Sequence, residues 1–226
     1  KLVITNMQWQ DEGYLLSKNN FDENSIIIEA LTSEHGKYSG IVYGGSSRKV
    51  KKNFQIGNKI ALNWKSKNVN KMGYFNVELI KPISPYFFND KKRSICILAA
   101  SSLLKILLPE RQKNKIIYNS FDVFINQLTD EYWIQNYIFW ELSLLKELGF
   151  DTNFLSNEPQ PENFMNINGN NLKIPTFLIN RQSNDISNSQ IRYALNFNKN
   201  LIVENIIEPN KLRFPISRNI LENYFK

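Results

Sequence analysis

A single cysteine, Cys96, and a single histidine, His35, stand in a chain of 226 residues. One thiol cannot form an internal disulfide, and one thiol with one imidazole cannot assemble the ligand set of a usual zinc site. No run of about 18 apolar residues is present to span a bilayer, and no segment resembles a signal peptide. A reducing, cytosolic setting without a membrane partner is therefore expected. Carboxylates are scattered, lacking the spacing of a general acid–base pair or of the two-metal cluster a nuclease would need. "GGSSRK" at Gly44–Lys49 departs from the GxxxxGK[ST] phosphate loop. The residues make no case for an enzyme, and no cofactor is expected. Lys1–Asn6, ahead of Met7, are set aside as tag-derived or upstream sequence.

What is abundant is positive charge, and it is concentrated. The net charge is +7 with 42% apolar and 22% charged residues, the balance of a globular chain. Residues 1–82 hold twelve lysines and arginines against seven acids, and residues 83–226 hold sixteen against fourteen. Within Tyr43–Lys81 there are nine cations and one anion, Glu78. A basic stretch confined to one segment is the electrostatic footprint of a nucleic-acid or acidic-surface binder, and a well-solvated lysine-rich face is the alternative reading of the charge alone.

Periodicity divides the chain near residue 82. Gly13–Lys18, Ser25–Leu31, Lys37–Gly44, Lys59–Ser66 and Tyr74–Ile80 read as short strands, several alternating strictly between apolar and polar positions. Five such strands with glycine turns predict a small closed β-barrel over 7–82, of the OB type or, as the alternative, SH3-like. Pro82 and Pro85 break pairing, after which spacings of three and four predict helices. The first, after "KKRS", ends at Pro109; the second covers Tyr118–Leu128; the third runs to Gly149, with Asp130 as its N-cap and Gly149 as its left-handed C′ residue. A hairpin turning at Asn168-Gly169, a short helix opened by Pro175, and helices over Ser187–Ile207 and Ser217–Phe225 complete an α+β chain whose second region, 83–226, is mostly helical. The stripe Trp133, Tyr137, Trp140 is read as core.

Lys37, the loop cations Arg48, Lys49, Lys51 and Lys52, and Lys65, Lys67 and Lys71 around the next turn are the candidate phosphate contacts. Tyr38, Tyr43 and Tyr74 are the candidate base-stacking rings, whereas Trp64 and Phe75 share their pattern with aliphatic core positions. His35 beside Gly36 is read as a turn residue. An RNA-binding barrel and a protein–protein adaptor remain alternative readings.

"DEGYLLSKNNFDENSIIIEALTSEHGKYSGIVYGGSSRKV", then "GYFNVEL", "LLKILLPE", "FWELSLLKELGF" and "IPTFL", in that order, resemble the RecO family of bacterial recombination mediators. The resemblance implies an N-terminal OB fold and a helical domain, binding of single- and double-stranded DNA, and annealing of complementary strands without ATP. It also implies RecR and the C-terminal tail of single-stranded DNA-binding protein as partners, RecA as an indirect one, and a cytoplasmic, nucleoid-associated setting. By the same match, Lys37 and the Arg48–Lys52 cluster would contact DNA. Many members carry a four-cysteine zinc module after the "LGF" helix. The corresponding stretch here, including the hairpin insert near 154–174, has no cysteine, so the expected insert is zinc-less.

Overall fold

A computed structural model of the chain describes residues 7–47, 53–68, 71–150, 164–167, 170–180 and 186–226. It divides into two compact units, Lys1–Tyr118 and Asn119–Lys226.

In the first unit β1 (Met7–Asn20), β2 (Ser25–Thr32), β3 (Gly36–Tyr43), β4 (Lys59–Ser66) and β5 (Gly73–Lys81) close into a barrel in the order β1-β2-β3-β5-β4. That order, with β3 and β5 parallel and the other pairs antiparallel, is the OB arrangement. β1 serves two neighbours: Met7–Tyr14 pair with β4, and Gly13–Asn20 pair with β2. Gly13 sits at the crossover, where a Cβ would lie 2.5 Å from the Leu31 carbonyl oxygen. Alternation fills the interior with Leu15, Ile28, Ile60, Leu62, Trp64 and Phe75, all buried, and with Phe54 from the β3–β4 connection. Asn58 is fully buried and accepts through Oδ1 from the Ile83 N–H at 2.8 Å and the Ser84 N–H at 3.2 Å, so the chain leaving β5 is held at the start of β4.

A 3-10 turn (Ser84–Phe87) leads to α1 (Lys91–Leu107). Asp90 caps this helix by accepting from the Arg93 N–H at 3.0 Å, and Pro109 stops it. α1 lies beyond the expected boundary at 82 yet packs on β1 in the same unit, burying Cys96, Ile97, Leu103 and Leu104. The β2–β3 turn is pinned to the segment after α1. Lys113 and Lys115 both pair with Glu34, the latter at 3.0 Å, and their hydrogen bonds hold its carboxylate down at about 2. Gly36 adopts φ +78°, and a Cβ there would lie 2.1 Å from the Gln112 carbonyl oxygen.

The unit boundary falls inside α2 (Lys115–Asn126). In the second unit α3 (Trp133–Glu147) buries Trp133, Tyr137, Trp140 and Leu144, and Trp140 stacks on Phe124 with ring centroids 5.1 Å apart. Asp130, expected as the N-cap of α3, instead closes the preceding 3-10 turn: its N–H donates to the Gln127 carbonyl at 3.0 Å, and the helix starts three residues later. The C-terminus is as expected. Gly149 has φ +91°, its N–H donates to Lys146 O at 3.0 Å, and the Phe150 N–H donates to Leu145 O at 3.1 Å, a Schellman closure.

β6 (Phe164–Ile167) and β7 (Asn170–Lys173) form the hairpin, whose turn at 168–169 lies outside the described residues, as does 154–163 of the insert. After the short α4 (Thr176–Asn180), α5 (Asn188–Ile202) begins with a capping box between Ser187 and Gln190, ends in a π-turn at Val203–Ile207, and is followed by α6 (Ile216–Asn223).

α3, α5 and α6 meet around a buried charge pair. The Arg218 guanidinium, fully buried, donates to both oxygens of buried Glu141, with Nη2 to Oε2 at 3.0 Å, and also to Leu195 O at 2.7 Å. Asn198 donates to the same Glu141 oxygen at 3.1 Å and to Ile138 O at 2.9 Å. Burial alone would lower the Arg218 pKa, but the adjacent Glu141 carboxylate outweighs it and the net shift is upward.

Removing Glu141 takes away the bidentate counter-charge of that buried guanidinium and leaves only the longer Glu222 contact at 3.9 Å. Glu141→Ala is expected to lower stability by about 3–5 kcal/mol in urea unfolding, whereas Glu141→Leu with Arg218→Met recovers most of the loss. Glu34 gives a pH signature. Its depressed pKa means its ion pairs contribute in full above its ordinary value of 4.5, and the contribution is lost as the pH falls through about 2. Carboxyl-resolved NMR titration should find that midpoint, and Lys113→Ala with Lys115→Ala should return it toward 4.5.

Candidate nucleic-acid interface

Strand alternation sorts the predicted residues into two groups. On β3, Tyr38 points inward and Lys37, Ser39, Ile41 and Tyr43 point outward. Tyr38 makes edge contacts with Trp9 (5.0 Å) and Trp64 (5.3 Å), and the Arg111 guanidinium lies 5.6 Å from its ring centre. Its ring is thus part of the barrel's own aromatic cluster and only partly exposed, unlike that of Tyr43. His35 joins this group, stacking on Trp9 at 4.1 Å while Nδ1 sits 2.8 Å from Asp11 Oδ2. It pins the turn to β1.

Lys37 is also corrected. It is only 7% exposed, and its Nζ donates to the Lys105 carbonyl at 2.5 Å, in the last turn of α1. Burial pulls its pKa below the usual lysine range, against the upward pull of Glu29 and Glu110. The ammonium caps a helix C-terminus, where the backbone dipole favours positive charge, and is not presented to a phosphate. The neighbouring surface is neutralised in the same way. Lys105 pairs with Glu29 at 2.9 Å, Ser39 donates to Glu110, and Lys59 pairs with Glu12 at 2.8 Å. Glu12 also accepts from the Tyr118 hydroxyl at 3.0 Å, and burial raises that phenol's pKa further above its ordinary value.

The other end of the barrel is open. Register pairs Ile27 with Ile41, Ile41 with Tyr74, Tyr74 with Lys65, and Lys65 with Gln8. Those five side chains form an outward-facing row across β2, β3, β5, β4 and β1. The isoleucines are half-buried, and Tyr74, Lys65 and Gln8 are exposed. Tyr43 reaches in from the end of β3, 67% exposed, with its ring 6.1 Å from that of Tyr74. Lys67 and Lys71 lie in the β4–β5 turn, which Ser66 braces by donating to Asn68 O at 2.7 Å. Among the described residues, Lys65, Lys67 and Lys71 are exposed and none makes an ion pair.

Of the predicted site, then, the structure brings together Tyr43, Tyr74, Lys65, Lys67 and Lys71. Arg48, Lys49, Lys51 and Lys52 lie outside the described residues. Gln8, Ile27 and Ile41, which the sequence does not single out, share this row through the β1–β4, β2–β3 and β3–β5 pairings, long-range contacts that no local pattern announces. No group of three or more His, Cys, Asp or Glu side chains among the described residues is placed to hold a metal ion, and no described helix is long and apolar enough to cross a membrane.

Residues 7–83 match the family described as Recombination protein O N terminal, and residues 89–157 match Recombination protein O C terminal. The chain belongs to the RecO family. Among curated members it is 36% identical over 146 residues to the DNA repair protein RecO of Ehrlichia chaffeensis, covering 64% of this chain and 59% of that one. It is 35% identical over 144 residues to that of Cereibacter sphaeroides and 36% identical over 147 to that of Hyphomonas neptunium, each match covering 64% of this chain and 60% of the relative. The matches thus span about three-fifths of the relatives' length. The two RecO family regions take in the whole barrel, α1, α2 and α3; residues 158–226 lie beyond them.

The two classes of lysine separate experimentally. Lys37→Ala should destabilise the RecO barrel by about 1–3 kcal/mol, because it leaves a helix-terminal carbonyl without its donor. Lys65→Ala should change stability by less than about 0.5 kcal/mol, as surface substitutions do. Thermal unfolding of the two variants side by side reads the contrast.

Proposed function

We propose that this chain is a DNA-repair protein: a recombination mediator that binds DNA through its barrel and anneals complementary strands without bond chemistry. The observation that carries this reading is the trio Lys65, Lys67 and Lys71, exposed and without ion-pair partners among the described residues on the open end of an OB barrel, whereas Lys37 is bound to a helix terminus and Lys59 to Glu12. Unpaired ammonium groups displace the counterions condensed on a phosphate backbone, and that release drives binding. Arg48, Lys49, Lys51 and Lys52 follow Tyr43 closely in the chain and extend the same basic stretch. Gly44 and Gly45, with Ser46 and Ser47, add small residues through which a backbone can approach.

The mechanism is one of concentration. Cations offset the repulsion between two strands and hold them within pairing distance, so that collision becomes effectively intramolecular. No nucleophile, metal or nucleotide is required. The helical region then serves partners: RecR, the tail of single-stranded DNA-binding protein, and through them RecA. Membership of the RecO family and the names of its curated relatives support this assignment.

Annealing of complementary oligonucleotides without nucleotide, followed by fluorescence, tests the activity; failure to accelerate pairing would count against it. For the contacts, Lys65→Ala/Lys67→Ala/Lys71→Ala should lower the slope of log K against log salt for duplex by about 0.9 per lost phosphate contact. A second variant with Arg48, Lys49, Lys51 and Lys52 all changed to Ala should do the same. Unchanged slopes in both would overturn the assignment of the basic stretch.

A further inference from the structure

We propose that the Tyr43–Tyr74 pair, flanked by Ile41 and Lys65, is a base-stacking track that makes this barrel favour single-stranded over double-stranded DNA. This rests on the DNA-binding reading above and adds what the lysines cannot supply. Ammonium groups see phosphates, which both forms of DNA carry; an exposed aromatic face sees a base only when that base is out of its duplex stack.

The two rings are placed as a binding surface and not as part of the core. Tyr14, Tyr118 and Tyr137 are buried, whereas Tyr43 and Tyr74 are 67% and 36% exposed on outward positions of β3 and β5. The inward neighbour Phe75 fills the barrel, so Tyr74 is not needed there. The rings stand 6.1 Å apart and are tilted by 53°. That arrangement leaves no slot between them for a base, so each ring offers an outer face. Ile41, directly opposite Tyr74 across the parallel pair, gives the track an apolar floor.

Lys65 is the cross-strand neighbour of Tyr74 on the other side, where paired side chains lie about 5 Å apart at Cβ. The two side chains thus spring from positions one strand spacing apart, and the lysine stem is long enough to meet the phosphate of a base stacked on the ring. Tyr74 also follows Lys71 by three residues, so the turn cations and the rings share one end of the barrel.

A consequence follows for annealing. When two held strands pair, their bases leave the rings and stack in the duplex. The product keeps its phosphate contacts and loses its aromatic ones, so it is held less tightly than the strands that formed it.

The test uses the full chain and three fluorescent probes of equal length: an oligo-dT strand, the same strand with every base removed, and a duplex, at one fixed salt concentration. Oligo-dT should bind at least about tenfold more tightly than the abasic strand, from one or two stacked bases. Tyr43→Ala/Tyr74→Ala should bring oligo-dT down to the abasic level while changing duplex and abasic binding by less than about twofold. Tyr74→Trp should preserve the preference. Lys65→Ala should weaken all three probes together. The proposal is overturned if the wild-type chain binds abasic and base-bearing strands alike, a comparison that requires no variant to fold. It is also overturned if the double Tyr variant, folded by circular dichroism, weakens all probes equally or none, or if single-stranded RNA displaces oligo-dT more effectively than oligo-dT itself. Equal abasic and oligo-dT affinities with a retained salt slope would sink the track alone; no binding to any probe would sink the DNA-binding reading beneath it.

Discussion

The closure of the barrel between β3 and β5 is the constraint on which the rest depends. It is short, with Gly40 opposite Gly73 and Ile41 opposite Tyr74. Both glycines are there for space. A Cβ on Gly40 would lie 2.5 Å from the Phe75 ring, and one on Gly73 would lie 2.4 Å from the Trp64 indole. Two large inward rings can fill the interior at the seam only because the backbones above them carry no side chains. Without that seam the sheet would remain open, and Tyr43 would have no reason to stand beside Tyr74.

Charge is arranged with the same economy. Near α1 the barrel's lysines are bound to carboxylates or to a helix terminus: Lys37 on the Lys105 carbonyl, Lys105 on Glu29, Lys59 on Glu12. At the β4–β5 turn they are left to solvent. One face is thus used up in holding the fold, and the electrostatic potential available to a polyanion is concentrated on the opposite end. The helical unit handles charge differently, enclosing Arg218 and Glu141 completely and hydrogen-bonding them to each other, Asn198 and the Leu195 carbonyl, with the Glu222 carboxylate 3.9 Å from Arg218 Nη1. Such a pair adds little net stability over an apolar substitute, yet it fixes which faces of α3, α5 and α6 meet.

Much of this was legible in the sequence. Apolar, β-branched or alternating runs located the five barrel strands, although β1 starts at Met7 and not at Gly13; the period change after Pro82 located the helices, and Gly149 announced the end of α3. The ordered motifs identified the family. What stayed hidden was long-range. Lys37 looks like its basic neighbours until α1 covers it, because burial depends on a helix about seventy residues away. Tyr38 and Tyr43 look equivalent by composition, and only their opposite parity on β3 sends one into the Trp9–Trp64 cluster and the other to solvent. Asp130 is a good capping residue by type, but α3 begins only at Trp133 and Tyr132 holds its N-cap position. Local propensity was right about what such residues can do and silent about which neighbour would arrive.

β5 carries the core and the open face in antiphase: Phe75 inside, Tyr74 and Asn76 outside. A single-residue insertion or deletion along this strand would exchange the two sets, drawing a phenol and an amide into the interior and expelling a phenyl ring to water. Length changes of two residues preserve the parity. β5 already shows how an odd residue is absorbed: Lys59 pairs with Lys81 and Ile60 with Leu79, so a bulge at Ile80 takes up the extra residue beyond the core-filling stretch and the parity that separates Phe75 from Tyr74 is left intact.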